Sequence, residues 1–176
     1  TVTGVQTCAL PILIGAEVVP HAAPDGYTLL WATPSQVVTS VFLSRTLPID
    51  PAKDLLPISI AAEPVTALLL NPKVPVSNVR EFVDYAKKNP GKWSYGSPGI
   101  GSFFHFTGEL IKQSAGIDIV HVPYKGGGPA FVDLIGGHLS LMFATVVAVN
   151  HHVKAGKLVA LGISHSRRNL ALPDVP

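Results

Sequence analysis

Three short stretches of this 176-residue chain are rich in small or hydroxyl-bearing residues in a way that could hold an anion. They are Thr33-Pro-Ser35-Gln36, Ser97-Pro-Gly99-Ile-Gly101-Ser102 and Pro123-Tyr124-Lys125-Gly126-Gly127. Each follows a β-prone run and precedes a helical pattern, so each belongs at the C-terminal end of an expected strand. Small residues let a ligand approach backbone N–H groups, hydroxyls add donors, and the positive ends of the following helices favour negative charge. Ser97 and Ser102 have the donors to meet a carboxylate, although Ser102 could serve only as a helix N-cap. Gly-Ser loops also occur widely in α/β proteins as plain connectors, so spacing alone leaves both roles open.

Other chemistries find less support. Ser97 directly follows Gly96, so the G-x-S-x-G elbow is missing. No Gly-Lys-Ser/Thr completes a phosphate loop, and Gly96-x-x-Gly99-x-Gly101 carries the dinucleotide spacings in reverse. His105 and Glu109 would share a helix face. His151 and His152 are adjacent and would point about 100° apart on a helix. With no H-E-x-x-H and no third ligand to place, no metal site is expected. His105 reads instead as a hydrogen-bonding or packing residue, and the His151-His152 pair as solvated. Scattered acids offer no catalytic carboxylate pair, and no cofactor is expected. One enzymatic alternative stays open: a small α/β enzyme using the 97–102 loop for acyl or phosphate chemistry. There Ser97 and His105 would be nucleophile and base, lacking an evident third orienting group.

Composition narrows the class further. Apolar residues make up 47%, charged residues 14%, and the formal charge is +2. That supports a packed core and excludes a basic nucleic-acid surface. The longest mostly apolar stretch, Leu141–Val149, is about half the length of a bilayer-spanning helix. A lone cysteine, Cys8, builds neither a disulfide framework nor a thiolate metal site. It lies in Val2–Ile12, an uncharged stretch without clear period that resembles the in-frame translation of a sequencing-adapter oligonucleotide. Residues 1–12 are therefore read as foreign to the native protein, with the native N-terminus expected upstream. The ending, Leu172-Pro-Asp-Val-Pro176, is turn-like and is read as an interruption before a longer C-terminus.

The elements that would position these loops follow from pattern. A short helix is expected over Ile14–Ala23, ended or kinked by Pro20, and a buried strand over Tyr27–Thr33. Val37–Ser44 reads as a helix and Leu47–Lys53 as a proline-punctuated connector. Two strands are expected at Leu56–Ala62 and Thr66–Leu70, then a helix capped by Ser77 and running to Lys88. The second half alternates strands at Trp93–Gly96, Ile119–Val122, Leu139–Phe143 and Leu158–Ser164 with helices at Ser102–Ser114, from Pro129 to about Gly136, and at Val146–Lys154. Strands alternating with helices predict an α/β fold with a largely parallel sheet, binding ligands at strand C-termini.

Longer segments carry a family resemblance. Ile14–Glu17, Ala23-Pro-Asp-Gly-Tyr-Thr-Leu-Leu30, Asn89–Lys92, Tyr95–Ser97, Gly108–Leu110 and Ala115–Gly116 take part in it. So do Asp118-Ile-Val-His-Val-Pro-Tyr-Lys-Gly126, Leu139–Phe143, His151–Leu158 and Leu172–Pro176. Together and in this order they resemble the Bug-type, TctC-like solute-binding proteins of tripartite tricarboxylate transporters. The resemblance implies a two-lobed, type II periplasmic-binding-protein fold, here incomplete, with mostly parallel sheets and a ligand cleft between the lobes. On that basis 13–95 is expected to be part of lobe 1, 96–164 most of lobe 2, and 165–176 a return segment toward lobe 1. It further implies a monomeric periplasmic receptor with no enzymatic activity, a small organic anion as ligand, and membrane permease subunits as partners. A leader peptide is expected upstream.

Carried over residue by residue, the resemblance assigns ligand contacts to Ser97, Gly99, Gly101 and Ser102, with His105 one turn on. Tyr124 and Gly126 would close over the ligand, and Thr33 and Ser35 would contribute from the other lobe. Many relatives have Asp after the Leu-Met-Phe strand, where this chain has Ala144 followed by Thr145. That departure points away from amino-acid ligands toward purely anionic ones, with Thr145 as a further contact. The family's first strand and first glycine-rich ligand loop would lie upstream of Ile14.

Overall fold

A computed structural model describes residues 16–43 and 47–176. The 1–12 segment with Cys8, the start of the Ile14–Ala23 helix and the last residue of the Val37–Ser44 helix lie outside the described residues. The chain forms two compact units. The smaller comprises the described residues up to Ala61 with Ile100–Phe103, and the larger comprises Ala62–Gly99 with Phe104–Pro176.

The smaller unit is helical and extended. Residues 16–18 are helical and pass into a turn at Val19-Pro20. A π-helical turn, Ser35–Thr39, runs into helix α1, Ser40–Leu43. The proline-punctuated connector contains a helical turn, α2, Pro51–Asp54, with Asp50 as N-cap accepting from the Ala52 N–H and proline in the first turn. Two expected strands are corrected here. Tyr27–Thr33 and Leu56–Ala62 form no ladder, and Tyr27 and Leu56 are about nine-tenths exposed (92% and 89%). An extended apolar run becomes a buried strand only by pairing with a neighbour. Among the described residues neither segment has one.

The larger unit is built on a five-stranded sheet ordered β3-β2-β4-β1-β5. Its strands are β1 (Thr66–Leu70), β2 (Trp93–Ser97), β3 (Ile119–Pro123), β4 (Leu141–Thr145) and β5 (Val159–Ile163). β2 pairs in parallel with β3 and β4, whereas β1 is antiparallel to both β4 and β5. Four strands therefore share one direction, as the alternating pattern predicts, with β1 inserted against them. The intervening helices are α3 (Val79–Lys88), α4 (Phe103–Ala115), α5 (Gly127–Gly136) and α6 (Val146–Lys154).

Period-two alternation divides the core between the two sheet faces. Ala67, Leu69, Met142 and Ala144 face α5 and α6 with Leu134 and Val149. Leu68, Leu70, Leu141 and Phe143 face the opposite side with Phe82 of α3 and Tyr95. Both faces are covered, which explains why β1 and β4 read as continuous apolar runs. The N-cap of α3 is Asn78, whose side chain accepts from the Glu81 N–H. This corrects the expected cap, Ser77. Ser77 instead donates its N–H and hydroxyl to the Glu81 carboxylate, which holds that acid below its ordinary range.

The expected lobe boundary at 95/96 runs through β2, and residues on both sides of it share this sheet. The 165–176 segment packs on the same unit. Leu172 and Val175 enter its core, and the Ile163 N–H donates to the Pro176 carbonyl.

Candidate functional site

Three adjacent parallel strands, β3, β2 and β4, end on one edge of the sheet, and each leads directly toward a helix. None of α4, α5 and α6 carries an acid in its first turn. Gly126 and Thr145, the N-caps of α5 and α6, make no side-chain cap bond. That edge therefore gathers positive helix ends without built-in countercharge. The loops after β2 and β3 are joined through their backbones. The Tyr124 N–H donates to the Ser97 carbonyl at 2.9 Å and the Gly126 N–H to the Pro98 carbonyl at 3.2 Å.

Beneath these loops lies a polar cluster that reasoning from sequence largely missed. Ser97 is fully buried at the end of β2, and its Oγ lies 2.7 Å from His121 Nε2. The His121 ring is stacked against His105 of α4 at 4.2 Å and against Tyr95 at 4.8 Å. Tyr95 donates its phenol proton to Glu109 at 2.6 Å, and Lys112 pairs with the same carboxylate oxygen at 3.0 Å. The register Tyr95↔His121 and Ser97↔Pro123 places Tyr95 and Ser97 on one face of β2, beside His121. The i, i+4 pair His105 and Glu109 was legible. Its meeting with His121 depends on which strand neighbours β2, and no local pattern supplies that.

Burial sets the charges of this cluster. It pushes His121 down to about 4, aided by the neighbouring His105, and it also lowers His105 despite the attraction of Glu109. Burial alone would raise Glu109, but the Tyr95 and Lys112 bonds hold it below its ordinary value. Tyr95 is raised by burial and by its bond to Glu109. For His121 the unfolded chain takes up a proton below about 6.5 while the folded chain resists until about 4. Stability is thus lost progressively as pH falls across that window, by about 1–2 kcal/mol once solvent screening of the partly exposed ring is allowed for. Comparing urea midpoints at pH 7.5 and 4.5 checks this: His121→Gln, which cannot take the proton, should lose less stability on acidification than the unmodified chain.

The expected contact residues fall into different situations. In the larger unit, Ser97 Oγ also meets the Gly99 carbonyl at 3.0 Å and accepts from the Gly99 N–H at 3.2 Å. Both groups are buried, so they build the loop and offer no open donor. The Tyr124 hydroxyl bonds Asp133 at 2.7 Å, and burial with this bond pushes it up to about 12. The Gly126 N–H is spent on Pro98. His105 is half-buried against His121, and Thr145 is half-buried at the mouth of α6. In the smaller unit Thr33 is exposed and bonds Gln36 through its N–H and hydroxyl. Ser35 Oγ accepts from the Phe103 N–H at 3.3 Å, and the Gly101 carbonyl accepts from Thr39 at 3.5 Å. Ser102 is half-buried beside them in the sequence. The expected Ser97–His105 pair does not form, because the imidazole within reach of Ser97 is that of His121.

The family model for the tripartite tricarboxylate transporter family receptor matches residues 8–176. The chain belongs to this family. The match begins inside the 1–12 segment read above as foreign. The Bordetella pertussis protein BugT is 33% identical over 165 residues, covering 93% of this chain and 51% of its own length. A solved structure of a periplasmic transporter is 43% identical with a TM-score of 0.83, covering 93% of this chain and 55% of that one. Two further structures, both of proteins from Rhodopseudomonas palustris, cover the whole of this chain. One, with adipate, is 28% identical with a TM-score of 0.83 over 67% of its length. The other, MatC with bound malate, is 27% identical with a TM-score of 0.79 over 68% of its length. The chain spans about half the length of the curated relatives it matches. Members of this receptor family and their solved neighbours are solute-binding proteins of the periplasmic-binding-protein fold, not enzymes. That sets aside the acyl- or phosphate-transfer alternative.

Proposed function

We propose that this receptor captures a small dicarboxylate or tricarboxylate in the periplasm and delivers it to the permease of a tripartite tricarboxylate transporter. The observation that carries this reading is the sheet edge where three parallel strands open into helix N-termini without acidic first turns. Such an edge favours an organic anion. The relatives solved with adipate and malate both hold dicarboxylates.

At that edge His105, Tyr124, Gly126 and Thr145 are the proposed ligand contacts, with Ser97 and Gly99 shaping the loop. Gly101 and Ser102, like Thr33 and Ser35, are proposed contacts of the smaller unit. The test is a thermal-shift series with malate, adipate and citrate. A ligand at 100 times its Kd should add about 2.7 kcal/mol, or roughly 5–10 °C for a chain of this size. Ser102→Ala should reduce the shift, and a series in which no carboxylate moves the midpoint would refute the reading.

A further inference from the structure

Among the described residues, two buried side-chain polar atoms lack a hydrogen-bond partner: Trp93 Nε1 and Thr66 Oγ1. Trp93 begins β2, at the sheet edge away from the loops after β2 and β3. Thr66 begins β1, but β1 runs against β4. Thr66 therefore lies at the edge where β4 ends, directly opposite Thr145. It is only 3% exposed. Its backbone is satisfied, because the N–H donates to Ser164 Oγ at 3.0 Å and the carbonyl accepts from the Ser164 N–H at 2.7 Å. Only the hydroxyl is left over. Valine would fill the same space without an unmet polar group, so packing does not explain a threonine here.

The register shows what this hydroxyl stands beside. The Val146 N–H donates to the Val65 carbonyl at 2.9 Å, one residue outside the pair, so Thr66 and Thr145 form a non-hydrogen-bonded pair. In such pairs the Cα atoms are about 4.5 Å apart, and the two side chains lie close together on one face of the sheet. Thr145 is the N-cap of the nine-residue helix α6, yet its side chain makes no cap bond. It is half-buried, whereas Thr66 is sealed. The first turn of α6 holds no acid. Two threonine hydroxyls, one of them orphaned, thus meet at a positive helix end. Ser97 differs, because Gly99 and His121 already engage its hydroxyl.

We infer that the Thr66–Thr145 pair is an uncharged carboxylate subsite at the N-terminus of α6: Thr145 donates its hydroxyl proton to a ligand carboxylate, and Thr66 donates its own to Thr145 Oγ1. The inference rests on the carboxylate-receptor reading and adds a residue of β1 to it. Thr66 is a positioning residue that acts through Thr145 without touching the ligand. A hydroxyl donates one proton and accepts others. Accepting from Thr66 commits the Thr145 proton to the anion, and each bond in such a chain strengthens the next. The Thr66 hydroxyl gains the partner it otherwise lacks.

The experiment sets stability against affinity. Thr66→Val exchanges the hydroxyl for a methyl group of nearly the same volume. Without ligand it should raise the urea midpoint, because a buried polar group without a partner is removed. Malate affinity, measured by calorimetry, should nevertheless fall about fivefold, the loss of one net hydrogen bond. Thr66→Ser keeps the donor and should retain the affinity of the unmodified chain. A threonine with a purely structural role would not trade stability against binding in this way. Thr145→Val should weaken malate binding more than Thr66→Val does. Adding Thr66→Val to Thr145→Val should then change affinity no further, since Thr66 acts only through Thr145. Undiminished malate affinity in Thr66→Val overturns the inference, as does an additive loss in the double variant. If Thr66→Val does not fold, Thr66→Ala takes its place with the same expected loss of affinity. If no carboxylate binds the unmodified chain, the receptor reading fails and takes the subsite with it. Malate binding that Thr66→Val leaves untouched removes the subsite alone.

Discussion

Gly108→Ala is expected to destabilise the chain by about 2 kcal/mol, and Gly108→Val by more, although either residue is a better helix former than glycine. A methyl group at Gly108 would lie 2.2 Å from Cε2 of Tyr95, 2.5 Å from Cζ and 2.9 Å from Cδ2. These are edge atoms of a rigid ring, not the free end of a flexible chain. The ring cannot retreat. Tyr95 is fully buried, His121 stacks against it, Phe143 meets it edge-on at 6.2 Å, and its hydroxyl is bonded to Glu109. Relief must therefore come from α4 lifting away from the sheet, which would also break the Tyr95–Glu109 bond. Alanine's helix preference, worth about 1 kcal/mol, offsets only part of that cost. Urea unfolding should show a lower midpoint with an unchanged slope. In the Tyr95→Leu background the same substitution should cost markedly less, giving a coupling of about 1 kcal/mol or more. A Gly108→Ala protein as stable as its parent would mean that α4 does not rest on this ring.

The same two residues show what could be read in the sequence. The helix bearing Gly108 and the strand bearing Tyr95 were both predictable, because each has a clear period and clear stops. That the glycine sits under the ring was not, since it depends on the angle at which α4 crosses β2. The contrast is sharper at Tyr27–Thr33 and Leu56–Ala62. Their β-branched and aromatic content predicts strands, but composition reports willingness to pair and not the presence of a partner. Thr66–Leu70, an apolar run with a single β-branched residue and no aromatic, did form a strand, because β4 and β5 flank it. Its antiparallel direction was invisible for the same reason. At the candidate site the glycine- and serine-rich loops were legible as loops at strand ends. Which of their donors stay open was not. Ser97 looked like a ligand donor because it is a serine in a glycine loop, yet its hydroxyl is consumed by Gly99 and His121. His121 went unnoticed because a histidine alternating with Ile119 and Pro123 reads as ordinary strand.

Gly96→Ala should act on the opposite face of the same strand, and its effect separates loop position from stability. Tyr95 points toward α4, so its neighbour Gly96 points toward α5. A methyl group there would stand 2.4 Å from Leu139 Cδ2, 3.4 Å from Tyr124 Cε2 and 3.5 Å from Ala130 Cβ. Glycine inside a strand is intrinsically weak, so its presence is explained by this close approach. Leu139 is flexible at its tip but buried in a filled core, so it cannot swing clear without displacing its neighbours. We expect a cost of about 1–3 kcal/mol, partly recovered in Gly96→Ala/Leu139→Val, where the colliding methyl has room to relax. Tyr124 is the informative neighbour. Its ring sits on the loop whose backbone is tied to Ser97 and Pro98, and pressure from Gly96→Ala is transmitted to that loop directly. Gly108→Ala disturbs the sheet from the other side, away from Tyr124. If the Tyr124–Gly126 loop contacts a carboxylate, Gly96→Ala should weaken malate binding several-fold, measured by calorimetry well below the unfolding midpoint. A Gly96→Ala protein that binds malate as tightly as the unmodified chain would mean that the loop has no part in holding the ligand.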